Sequence, residues 1–173
     1  MKAMNKKMEK ALNEQINAEM YSSYLYLSMS AYFADANMNG FANWMRIQAQ
    51  EELAHAMIFF DYVNERGGRV DLKAIEKPAK EWKNAIEVFE ATLKHEQHVT
   101  SLINNLVNLA IEEKDHATNN MLQWFVKEQV EEEANATQIL GEVKMTEGKG
   151  PGMFMIDREL KTRVFIPPTV TQA

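Results

Sequence analysis

The chain has 173 residues, with 19 Lys plus Arg against 25 Asp plus Glu and a formal net charge of −6. That is a length for one domain, and the acidic balance argues against a nucleic-acid partner, which selects a basic face. No cysteine is present, which excludes a disulfide scaffold, a zinc ribbon, an iron–sulfur centre and a thiol nucleophile. The first fifteen residues are charged throughout and build no signal-peptide core. No run approaches the ~18 apolar residues of a membrane span, so a cytoplasmic protein without a membrane partner is expected.

Seven Gly and four Pro point to few turns and long regular elements. Breaks fall at 37–40, at 67–81 around Gly67-Gly68 and Pro78, at the polar run 112–115, at Gly141, at Gly148–Gly152 and at Pro167-Pro168. Between them apolar residues recur at alternating steps of three and four, which is the helical period. The pattern predicts helices over 5–35, 39–66, 83–112 and 115–140, a short fifth over 152–162, and a tail at 163–173. The expected fold class is all-α, in a single domain over 1–173 whose bundle occupies about 5–140. Tight first and third connections make antiparallel hairpins. The second connection, 67–81, can run the length of a helix at ~3.3 Å per residue, which makes it a crossover between two hairpins packed as a four-helix bundle.

The inward stripes are apolar at both ends and polar in the middle. The first reads Leu12, Ile16, Glu19, Ser23, Tyr26, Phe33, and the second Phe41, Met45, Gln48, Glu52, His55, Phe59, Tyr62. The third reads Ile86, Phe89, Leu93, Glu96, Thr100, Ile103, Val107, and the fourth Leu122, Phe125, Gln129, Glu132, Ala136, Ile139. Most helical Glu residues belong to a solvated face. These four do not, because their i±3 and i±4 neighbours are core, and an unpartnered buried carboxylate costs several kcal/mol.

Their heights agree as well. Glu19 and Glu52 are centred on position 35.5, at the first turn, and Glu96 and Gln129 on 112.5, at the third connection. The two hairpins also repeat at an offset of 77, which carries Glu19 to Glu96, Glu52 to Gln129, His55 to Glu132 and Glu51 to Glu128. Four carboxylates at one level ask for two divalent cations, with His55 and Gln129 as neutral donors. Oxygen-rich ligation with one imidazole suits iron or manganese better than structural zinc. An inward Tyr26 and a nearby Trp124 tip the choice to iron.

The segments 12–26, 50–56 and 122–133, with Glu19 and Tyr26, Glu51-Glu52 and His55, and Trp124, Glu128, Gln129, Glu131 and Glu132, resemble prokaryotic non-haem ferritins. The resemblance spans about 5–162. It implies a ferritin-like bundle with a short fifth helix, assembled as a homo-oligomer in a hollow shell of 24 subunits. It further implies an iron-storage function, with an iron-oxidising ferroxidase centre in each subunit that uses O2 or H2O2. Carried over by position, Glu19, Glu52 and His55 hold one iron, with Glu52 bridging. Glu52, Glu96 and Gln129 hold the other, with Glu132 able to swing in. A third, transient site maps to Glu51, Glu128 and Glu131, and Tyr26 and Trp124 become candidate electron donors. Gln129-x-x-Glu132 stands where bacterioferritins resemble a second Glu-x-x-His, and Leu53 stands at their haem-ligating Met, so no haem is expected.

A di-metal redox enzyme on the same bundle, of peroxidase or manganese-catalase type, is the alternative. A DNA-protecting mini-ferritin fits less well, because its site lies between subunits. His95 and His98 read as a surface pair. Within the fifth helix Met153, Phe154, Ile156 and Leu160 form an apolar face expected to pack against other subunits.

Overall fold

The computed structural model describes residues 4–169; positions 170–173 of the expected tail lie outside the described residues. Five helices follow one another: α1 (Lys6–Asp35), α2 (Asn39–Glu65), α3 (Ala85–Glu112), α4 (His116–Met145) and α5 (Gly150–Leu160). There is no strand among the described residues, and no helix there is long and apolar enough to cross a membrane. α1 packs chiefly on α2 and α3 on α4, and α1 also touches α3, as two hairpins side by side require. The crossover is laid along α1: Asn13 donates to the Arg69 carbonyl and accepts from the Asp71 amide, Asn17 donates to Ala74, and Ser28 to Ala79.

Each of the first four helices stops in the same way. The amide at the third residue past the end bonds five residues back (Met38 to Phe33, Gly68 to Val63, Asp115 to Ala110, Gly148 to Val143), around a left-handed residue at Asn37, Gly67, Lys114 or Glu147. Two of those four residues carry long side chains in a conformation that favours Gly or Asn, so the left-handed positions after α3 and α4 do not announce themselves by residue type. α4 passes through Gly141 and runs five residues beyond the predicted 140, ending just before the Gly148–Gly152 break. Gly141 is tolerated inside it because Val143, two residues on, is fully buried and holds the last turn to the core. The buried face of α3 is also turned by one residue from the expected stripe. Ala85, Val88, Thr92, Val99, Leu106 and Ala110 are buried beside Phe89, Glu96 and Ile103, while Ile86, Leu93, Thr100 and Val107 are half-buried. Thr92 can face the core because its hydroxyl donates to the Val88 carbonyl of its own helix.

The core is two apolar clusters with a polar layer between them. One gathers Tyr26, Met29, Phe33, Phe41, Trp44, Met45, Phe89 and Val143; the other Met8, Leu12, Ile16, Phe59, Ile103, Leu122 and Phe125. The fifth helix joins the first cluster through Met153 and Leu160, with Ile156 packed against it, so much of the face expected to meet other subunits meets its own bundle instead. Only Phe154 of that set is exposed, next to Met155. The docking also caps α2, whose N-cap Met38 has no side chain able to do so: Asp157 Oδ1 of α5 accepts from the amides of Gly40 and Phe41 at 2.8 and 3.1 Å. Gly40 is therefore not a turn glycine. A Cβ there would come within 1.6 Å of the Asp157 carbonyl oxygen.

Gly40→Ala should accordingly push α5 off the bundle. Backbone overpacking of this kind typically costs about 1–3 kcal/mol, and more where backbone must move. Thermal melting should show the loss, and limited proteolysis should find new cleavage around 146–150.

Candidate metal centre

The middle layer is built from positions three or four residues along the same helices from buried apolar residues. Glu19 of α1, Glu52 and His55 of α2, Glu96 of α3, and Gln129 and Glu132 of α4 are all buried, each no more than 5 % exposed. One ligand atom from each of Glu19, Glu52 and His55 lies within 4.8 Å of the others. His55 Nδ1 stands 3.4 Å from Glu52 Oε2, and its ring sits edge-on to Trp124 and Phe125. The i, i+3 spacing on α2 puts both side chains on one face.

The opposite half is organised around Glu96. Tyr26 donates its hydroxyl to Glu96 Oε1 in a short hydrogen bond, and Gln129 Nε2 lies 3.2 Å from Glu96 Oε2. Gln129 Nε2 also reaches Thr100 Oγ1. Its amide nitrogen is thereby turned to α3. Glu132 is tied to Glu52 by a residue that the pattern put on the inward stripe without a role: Gln48 Nε2 donates to Glu132 Oε2 at 2.7 Å and to Glu52 Oε1 at 3.3 Å. Gln15 plays the same part for Glu19 Oε1 at 2.8 Å. Both glutamines stand four residues before the acid they serve. An amide at i−4 to a core Glu was the available signal.

These carboxylates are held by neutral donors. The remaining oxygen, Glu19 Oε2, is buried and accepts no hydrogen bond. An orphaned acceptor on a residue whose carboxylate converges with Glu52 and His55 is what a cation would satisfy, and the donor set of carboxylate oxygens, one imidazole and one amide suits a hard or borderline divalent ion. Burial, and then the charge of Glu52, pushes the Glu19 carboxyl well above the ordinary range. Glu52 and Glu132 are pushed up in the same way, first by burial and next by Glu96. Burial raises Glu96 too, against the opposing pull of Tyr26 and Gln129. The Tyr26 hydroxyl is driven upward by burial and by Glu96, so it stays a proton donor.

The peripheral residues are less gathered. Glu128 is half-buried with Oε1 4.0 Å from His55 Nε2, and Glu51 is half-buried but engaged by Arg163. Glu131 is exposed. The expected surface pair of histidines is not one. His98 is exposed, but His95 is tucked beside Tyr21 and Tyr26 with Nε2 2.8 Å from Ser22 Oγ, and burial followed by His98 brings it down to about 4.

Comparison with known proteins agrees with this architecture. The ferritin family model, described as a ferritin-like domain, matches residues 9–146. A bacterial non-heme ferritin of Bacteroides fragilis is 46 % identical over 160 residues, which cover 92 % of this chain and 99 % of that protein. A probable bacterial non-heme ferritin-like protein of Haemophilus influenzae is 43 % identical over 157 residues, 91 % of this chain and 95 % of the other. The crystal structure of an open-pore ferritin from the hyperthermophilic archaeon Archaeoglobus fulgidus superposes with a TM-score of 0.93 at 51 % identity, covering 95 % of this chain and all of that one. The chain belongs to the ferritin family.

Raised carboxyl values carry a definite sign. Metal-stripped protein holds protons in the folded layer that the unfolded chain has released above ~4.3, so the layer destabilises the fold increasingly as pH rises from there through the raised folded values. Melting temperature in chelator should fall over that window. Glu52→Gln, which removes one charge at constant shape, should flatten the fall and raise the melting temperature at neutral pH. A variant that melts lower than wild type at neutral pH in chelator would show that the carboxylate is needed for folding.

Proposed function

We propose that this member of the ferritin family stores iron, taking up Fe(II), oxidising it at a paired site inside the bundle, and passing the ferric product to the cavity of a 24-subunit homo-oligomeric shell. The convergence of Glu19, Glu52 and His55 within 4.8 Å in a buried layer, facing Glu96 and Gln129, carries this reading. In it Glu19, Glu52 and His55 hold one substrate ion and Glu52 is shared with the second. Glu96 and Gln129 hold the second ion, with Glu132 as a mobile further ligand. A third ion passes through Glu51, Glu128 and Glu131. Two Fe(II) ions give up two electrons, which with two protons reduce O2 to H2O2 or H2O2 to two waters. No haem enters the scheme.

The protein's own contribution is placement and proton supply. Glutamine amides hold Glu19, Glu52 and Glu132 in position without cancelling their charge, so binding two divalent ions neutralises the layer. Tyr26, hydrogen-bonded to Glu96, and Trp124, against the His55 ring, are the groups through which a further electron can be drawn. Gln129 offers a neutral amide where the other half has a carboxylate. A weaker ligand there lets the second ion leave, as storage requires.

The deciding experiment is anaerobic Fe(II) loading followed by air, with oxidation followed by absorbance and the particle sized by chromatography. A shell of roughly 24 copies that oxidises iron in a fast phase and accumulates an electron-dense core is expected. Glu52→Ala should abolish the fast phase and lose most of the thermal stabilisation that Zn2+ gives wild type through mass action on the folded site. A dimer, or a fast phase that survives in this variant, would sink the reading.

Gln129→Glu tests the asymmetry. The added carboxylate should retain the second ion, so the first burst persists while sustained oxidation falls severalfold. Equal sustained rates in the two proteins would show that the amide has no such role.

A further inference from the structure

After α5 the chain turns back to the polar layer. Arg163 stacks its guanidinium 4.6 Å from the centre of the Trp44 ring and donates to the Trp44 carbonyl oxygen. The same group donates to Gln48 Oε1 at 2.9 Å and pairs with Glu51 Oε2 at 2.5 Å. It is well anchored, since Asn43 holds the carbonyls of Leu160, Lys161 and Arg163, and both side chains of the Arg163–Glu51 pair are only about one-fifth exposed.

We infer that Arg163 is a positioning residue of the metal centre, acting on Gln48 by hydrogen bond and on Glu51 by charge. The inference rests on the proposed centre being one. An amide has an accepting end and a donating end. With Oε1 engaged by a guanidinium, the NH2 end of Gln48 faces inward, where it donates to Glu132 and Glu52. Reversed, the same side chain would set an oxygen against two carboxylates and an NH2 against a cation. Glu51 receives the second effect. Arg163 is its built-in counter-charge, so a metal ion recruited there with Glu128 and Glu131 has to displace a guanidinium first. That keeps the third position weaker than the buried pair, as a transit site must be.

Metal-stripped, full-length protein titrated anaerobically with Zn2+ in a calorimeter tests this without any oxidation chemistry. Wild type should take two ions per chain tightly and a third more weakly. Arg163→Gln keeps a donor for Gln48 and removes the charge, so the third ion should tighten by about fivefold. Arg163→Ala removes both functions, so the third ion should tighten while the buried pair weakens relative to the Gln variant, because Gln48 is free to turn. A residue that merely props up the C-terminal segment would loosen all three ions together. Should the Ala variant not assemble, the third-ion affinity of the Gln variant decides alone. A third-ion affinity unchanged from wild type overturns the role of Arg163. Absence of tight Zn2+ binding in wild type overturns instead the metal-centre reading on which it depends.

Discussion

Four carboxylates at one level of a helical bundle are the constraint to which the rest of this molecule answers. Each would cost several kcal/mol to bury unpartnered. The two apolar clusters on either side hold Phe, Met, Leu and Ile side chains with essentially no exposure, and each such burial returns roughly 1.5–3 kcal/mol. The fold can therefore carry a polar layer only because it is sandwiched. Helices of 27 to 30 residues supply the length to place apolar turns both above and below it.

The manner of compensation matters as much as its amount. The groups touching the four acids are three glutamine amides, a phenol and an imidazole. A lysine or arginine in those places would have formed a closed ion-pair network with no appetite for a metal. Neutral donors fix orientation and leave the negative charge in place. The one guanidinium nearby stands a residue further out, on Gln48 and Glu51.

The acids were legible in the sequence because a charge at i±3 and i±4 from core residues contradicts the pattern around it. Equal distance from the turns then gave their common height, and the all-α class with its crossover followed from period and loop length. Neutral polar residues carry no such contradiction. Gln15 and Gln48 looked unremarkable although they orient three of the acids between them, and Thr92 hid its inward direction by bonding its own helix. The α3 stripe was accordingly placed one residue away from the buried one. Glycine misled for a related reason. Gly40 serves a close approach made 117 positions later in the chain, and Gly141 sits inside a helix that tertiary packing sustains, so neither is a turn.

Arg163 was illegible for a further reason, since its meaning depends on where α5 docks. That docking links the end of the chain to α2 at two heights. Asp157 satisfies amides in the first turn of α2, and Arg163 holds Gln48 and Glu51 two and three turns further along. A helix tethered at one point can still rotate about its axis and slide. Tethered at two points on nearly the same side, it can do neither without breaking one of them. The helix so held carries Glu52 and His55, two of the three residues whose ligand atoms converge. Ligand atoms spaced for a metal tolerate errors of a few tenths of an ångström. α2 is held chiefly by its packing on α1, and the C-terminal segment adds two tethers, one at its first turn and one on the turn that leads into Glu52.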